Sequence, residues 1–179
     1  MNKHARFTTN GFQLAVMALA IAGSGSAMAA NNASATSTSV VVTPIAVTKT
    51  ADLSFGDIAS SGAIGTVTVS PNGTRAVSGG AIAAGGTSTA ARFDVTGQAG
   101  LTYSISMAGT STNLTKGADT IPFTAISDVT ASAITTGIAT SGTLTGGAQS
   151  IFVGGKLDVA INQPAGSYTG TVAVTVDYN

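Results

Sequence analysis

Apolar and polar side chains alternate along short stretches of this chain, and Gly, Asn and Ser separate the stretches about every ten residues. A period of two is the mark of strands with one buried face, and its recurrence between turn residues predicts a β-sandwich or barrel. No long segment beyond the first 29 residues carries a 3.6-residue apolar period, so no helix is predicted there. One alternating run covers residues 40–50 and is interrupted by Pro44, which marks an edge, a bend or a break between two functional pieces. Leu53 and Phe55 share a face. Ile64, Thr66, Thr68 and Ser70 then alternate with Gly65, Val67 and Val69, ending at the turn Pro71-Asn72-Gly73. The glycine-rich stretch 79–86 predicts a loop.

Ala91, Phe93 and Val95 mark a strand closed by Gly97, and Tyr103, Ile105 and Met107 mark the next. Their spacing around Gln98-Ala99-Gly100 predicts a hairpin. From about 109 to 147 the pattern is less regular. Ile121, Phe123 and Ile126 read as buried, and the Thr/Ser/Gly tract 130–147 reads as weak strands or a long loop. Ile151 and Val153 precede Gly154-Gly155, and Leu157, Val159 and Ile161 form a strand. The clearest run is the last: Tyr168, Val172, Val174, Val176 and Tyr178 share one face, with Thr169, Thr171, Thr175 and Asp177 on the other. A sandwich complete in itself has no reason to stop on its most hydrophobic strand, so this ending predicts a partner supplied from elsewhere.

The first residues change the chemistry available. Lys3, His4 and Arg6 precede an apolar stretch, and Ala27-Met28-Ala29 fits the small-x-small cleavage rule, so residues 1–29 are expected to be an export signal. Removing them leaves 150 of the 179 residues, enough for one domain with a core. The single histidine goes with the signal, and the chain has no Cys, no Trp and no Glu. That excludes Ser–His–Asp and Cys–His nucleophile systems and ordinary zinc or copper sites. All seven acids are aspartates and none are clustered, so neither an enzyme nor a metal or cofactor site is expected. The few basic side chains are scattered singly, which gives no stripe for nucleic acid. Ala, Gly, Ser and Thr make up more than half of what remains, yet abundant alternating Thr, Val and Ile argue against disorder.

The ending from Pro164 to Asn179 resembles the final strand of chaperone–usher pilins, and is especially similar to the archaic, spore-coat-like type. Tyr178 matches their penultimate tyrosine, and Gly166 matches a glycine fourteen residues from the C-terminus. Thr48-Lys49-Thr50-Ala51-Asp52-Leu53-Ser54-Phe55-Gly56 is similar to early strands of that group. Both ends also resemble a family of uncharacterised exported bacterial domains. The two segments cover about a fifth of the exported chain. A disulfide that joins the first two strands of many pilins has no counterpart here.

The resemblance implies an all-β, incomplete immunoglobulin-like β-sandwich, completed by an N-terminal strand donated by a neighbouring subunit. Residues 30–43 are then the donor extension, with Val40 and Val42 as the inserted row, or Val41 with Ser39 and Ala35. Residues 44–179 are the pilin domain. Gly166, Tyr168, Val172, Val174, Val176 and Tyr178 are the strand that faces a chaperone or a neighbour. The implied partners are other pilin subunits head to tail, a periplasmic chaperone and an outer-membrane usher, with no nucleic acid and no membrane embedding. The implied function is a structural subunit of an extracellular pilus or fimbria, serving adhesion or biofilm formation. The competing expectation is a secreted adhesive or matrix-binding sandwich, complete on its own. Gly154-Gly155-Lys156 is no phosphate loop, since Ser150 and Leu157 stand where a glycine and a hydroxyl are needed. An outer-membrane barrel would show aromatic girdles, which this chain lacks.

Overall fold

The computed structural model describes residues 32–179, and the expected export signal lies outside them. Residues 32–39 form no helix or strand and each is exposed. In the unit from Val40 to Asn179, ten strands follow one another. They are β1 (Ala46–Ala51), β2 (Asp57–Val69), β3 (Arg75–Gly85), β4 (Ala91–Thr96) and β5 (Thr102–Ser106), then β6 (Asn113–Lys116), β7 (Asp119–Asp128), β8 (Ser141–Thr143), β9 (Ala148–Val159) and β10 (Thr175–Tyr178). A single 3₁₀ turn, Thr145–Gly147, is the only helical element among the described residues.

All pairing is antiparallel, in a larger sheet of seven strands and a smaller one of three, ordered β10-β5-β8. This is a β-sandwich-like all-β fold. The organiser is β9. One of its edges carries β4 along residues 148–153 and then β2 along 155–159, end to end, while β7 runs along the other edge from Phe152 to Leu157. Gly154 and Gly155 sit at the junction because nothing larger fits. A Cβ at Gly154 would run into the Val69 carbonyl at the end of β2, and one at Gly155 into the Phe123 ring. β9 therefore passes unbroken through a pair that usually weakens a strand.

Two apolar clusters fill the interior. The first gathers Phe93, Val95, Tyr103, Ile105, Leu144, Ile151, Val153 and Val176 between the two sheets. The second gathers Phe55, Val67, Val69, Ile121, Phe123, Leu157 and Val159. Burying each such side chain contributes at most ~1.5–3 kcal/mol.

Several expectations need correction. The run at 40–50 becomes a strand only from Ala46, since Pro44 has no N–H for a ladder and Thr43 bonds to side chains instead. The glycine-rich stretch 79–86 is largely strand β3, held by its ladder with β2 across a register shift between Ser60 and Gly65. The segments around 91–96 and 102–106 are not a hairpin. β4 pairs with β1 and β9, whereas β5 pairs with β10 and β8, so the chain crosses between sheets at 97–101 and the two apolar faces meet in the core. The last run is a paired strand only over β10, and upstream of it Thr169 makes an isolated bridge to Thr115.

Candidate functional site

The side chains of the second apolar cluster are buried, but a hollow lies beside them. A cavity of about 1230 Å³ opens between residues 52–60 and residues 163–172, floored by Phe55, Phe93, Phe123, Leu157 and Val159. Phe55 and Phe123 meet edge to face with ring centres 6.1 Å apart. Three of the four phenylalanines beyond residue 31 thus line one space.

Each long side of the cavity is a backbone segment paired along one edge. Asp57, Ile58, Ala59 and Ser60 pair with β3, while the β2–β9 ladder begins only at Gly65. Opposite, Thr169 exchanges backbone bonds of 2.8 and 3.0 Å with Thr115, and the Thr171 carbonyl accepts from Ser111 N–H at 2.8 Å. No described strand pairs with the remaining edge of either segment. The result is an apolar floor between two open backbone edges, strand at 57–60 on one side and held opposite at Thr169 and Thr171.

The C-terminal side is held as a lip. Lys116 Nζ donates to the Ala165 carbonyl at 2.8 Å, lies 5.5 Å from the centre of the Tyr168 ring, and pairs with Asp119 at 2.9 Å. The hydrogen bond to Asp119 raises the pKa of Lys116 above the ordinary lysine value. Tyr168 Oη donates to the Pro164 carbonyl at 2.8 Å and accepts from Gln163 Nε2 at 2.9 Å. Gly166 has a φ of +146°, and a Cβ there would strike the Lys116 stem. A side chain at 166 would therefore be strained and would also displace the latch.

The predicted C-terminal row divides along its length. Gly166, Tyr168 and Val172 border the cavity. Val174 packs against the first cluster, Val176 is buried within it, and Tyr178 packs on its margin. There the Tyr178 hydroxyl closes a clasp, donating to the Thr43 carbonyl at 2.7 Å and accepting from Gln98 N–H at 2.6 Å. Gln98 Oε1 in turn accepts from Thr43 N–H at 3.4 Å. The predicted donor residues Ala35, Val40, Val41 and Val42 lie in no strand and are all exposed, Val40 by 86% and Val41 by 94%.

Sequence reasoning missed Lys116, Gln163 and Gln98, which act through contacts distant in sequence and carry no local signal. It also missed that Phe55, Phe93 and Phe123 converge, although the scarcity of aromatic residues hinted that each has a task. Among the described residues no three His, Cys, Asp or Glu side chains come together as a metal site.

The model of a family described as Domain of unknown function (DUF4402) matches residues 45–178, a span that holds every strand and both sides of the cavity. No curated protein and no solved structure matches the chain.

Proposed function

We propose that this chain, which belongs to the DUF4402 family, is a structural subunit of an extracellular pilus or fimbria assembled by donor-strand exchange. One observation carries the reading: an apolar cavity between two open backbone edges occurs in the same chain as an exposed, unpaired segment ending in three valines. Open backbone edges along an apolar hollow are a liability that a secreted domain keeps only where something covers them. On this reading the sandwich is immunoglobulin-like and lacks one strand. Residues 30–43 of a neighbour supply it, bonding to the backbone of 57–60 and 165–172 and setting alternate side chains on the phenylalanine floor.

Each valine so buried contributes ~1.5–3 kcal/mol. Because the arm and the groove are different surfaces, the contact is heterologous and repeats into an open filament. A periplasmic chaperone covers the groove before an usher passes the subunit outward, and the finished fibre serves adhesion or biofilm formation.

The test is sheared surface material from a bacterium expressing the full chain, viewed by negative stain and run on gels with and without heating. Fibres and a heat-sensitive ladder are expected, and both should vanish when residues 30–43 are deleted. Fibres that persist after the deletion overturn the mechanism. Monomers at every temperature from the full chain would favour a self-complete adhesive or matrix-binding sandwich.

A further inference from the structure

The segment that joins the arm to the domain is itself built. Pro44 fixes its own φ and restricts Thr43 to extended backbone. Thr43 is then held on both sides, its carbonyl by Tyr178 Oη at 2.7 Å and its N–H by Gln98 Oε1 at 3.4 Å. Immediately beyond it stand Val42, Val41 and Val40, and Val41 is 94% exposed.

The clasp sits at the end of the domain away from the cavity. β1 runs from Ala46 opposite Thr96 to Ala51 opposite Arg92, and the cavity begins only near Lys49, Asp52 and Phe93. The five residues from Phe93 to Gln98 put ~15 Å between the clasp and the near margin of the cavity. Val40, three residues from Thr43, reaches at most ~10 Å from it. With Thr43 held, the valines fall short of the chain's own cavity.

Resting on the strand-exchange reading above, we infer that Thr43, Pro44, Gln98 and Tyr178 form a rigid root that withholds the valines from the chain's own groove. The same root presents them to a second copy at a fixed angle. The occupant of the groove is then the valine segment of another copy, and no flexible linker separates the two domains. Tyr178 is a positioning residue here, acting on the arm through Thr43.

The absence of native cysteine makes the test clean. In the full chain, Val40→Cys, Val41→Cys or Val42→Cys is combined with Thr171→Cys on the groove lip, and disulfides are formed under oxidising conditions. Disulfide-linked multimers are expected from at least one pair. A cross-linked, fast-migrating monomer would overturn the rigid root while leaving the groove as the arm's receptor. No cross-link of either kind, from any pair, would overturn the strand-exchange reading beneath it.

The angle is tested by filament stiffness. Pro44→Gly, alone and with Tyr178→Phe, should still yield cross-linked multimers but lower the filament persistence length severalfold by negative stain. Pro44→Gly removes no bond of the clasp, so it remains informative if Tyr178→Phe fails to fold. Filaments as stiff as those of the parent chain would overturn the root's role.

Discussion

The two ends of the core are built from the same kinds of residue and finish differently. Around Tyr103, Leu144 and Ile151 the smaller sheet covers the larger one, β10 is fully laddered to β5, and the Tyr178 clasp seals the margin. Around Phe123, Leu157 and Val159 the smaller sheet has stopped. The preceding residues of the same C-terminal run, 163–172, touch that cluster through Tyr168 and Val172 and otherwise border the cavity. One alternating sequence thus serves as a strand at one end and as a lip at the other. The lip carries Pro164, Gly166 and Gly170 where the strand carries Val174 and Val176, and its backbone pairs with other backbone only at Thr169 and Thr171.

If one half is closed and the other open, equivalent truncations must cost different amounts. Ile151→Ala, fully buried in the closed half, is expected to lower stability by about 4 kcal/mol in urea unfolding. Leu157→Ala, whose neighbours already border open space, should cost about 2 kcal/mol. Equal losses would break the comparison. The glycine pair of β9 sharpens it. Gly154→Ala meets backbone of Val69 that cannot move, and should cost about 3 kcal/mol by the same measurement. Gly155→Ala meets the Phe123 ring, which can turn into the cavity, and the Thr124 carbonyl at 3.0 Å, so a smaller loss of about 1–2 kcal/mol is expected.

Two tyrosines with matching hydrogen bonds come next. Tyr178→Phe removes both bonds of the clasp and should lower global stability by about 1–2 kcal/mol. Tyr168→Phe should leave the unfolding midpoint nearly unchanged while speeding amide exchange at 165–169. The smallest effect is alkaline. Burial raises the pKa of Tyr103 above 10.0, so its contribution is complete below the ordinary tyrosine value and is lost as pH rises through the raised folded value. Lys116 is also raised, by its bond to Asp119, so its hold on the lip is complete below 10.5 and weakens above that. The urea midpoint should therefore fall in alkali through Tyr103, and Tyr103→Phe should flatten the fall. Lys116, part-exposed at the surface, should change only exchange at the lip.

What could be read from the chain was the set of one-sided strands. Ala91, Phe93 and Val95, Tyr103 and Ile105, and Leu157 and Val159 are buried where alternation placed them. Which sheet each strand joins was not readable, because β4 and β5 have equally good apolar faces and only long-range pairing separates them. β3 was missed because Ala, Gly and Ser offer little contrast between faces, and its ladder with β2 decides its shape. The hairpin of β6 and β7 was hidden in a region of weak pattern. At the candidate site the exposed valines and the C-terminal row were legible as residues. The cavity between 52–60 and 163–172 was not, since its floor is assembled from strands far apart in sequence.

The pairing of β1 with β4 has a mechanical consequence. A pull on the arm enters at Thr43, beside Gln98, and a pull on whatever fills the groove leaves near Lys49, Asp52 and Phe93. The line between these points runs along β1, so tension slides β1 lengthwise over β4 and loads the ladder from Ala46 to Ala51 all at once. Breaking bonds together in shear is far slower than unzipping them singly, and it is the forced-unfolding rate that sets how long a loaded domain survives. In a filament of the proposed kind, the short first strand would be the element that bears the tension.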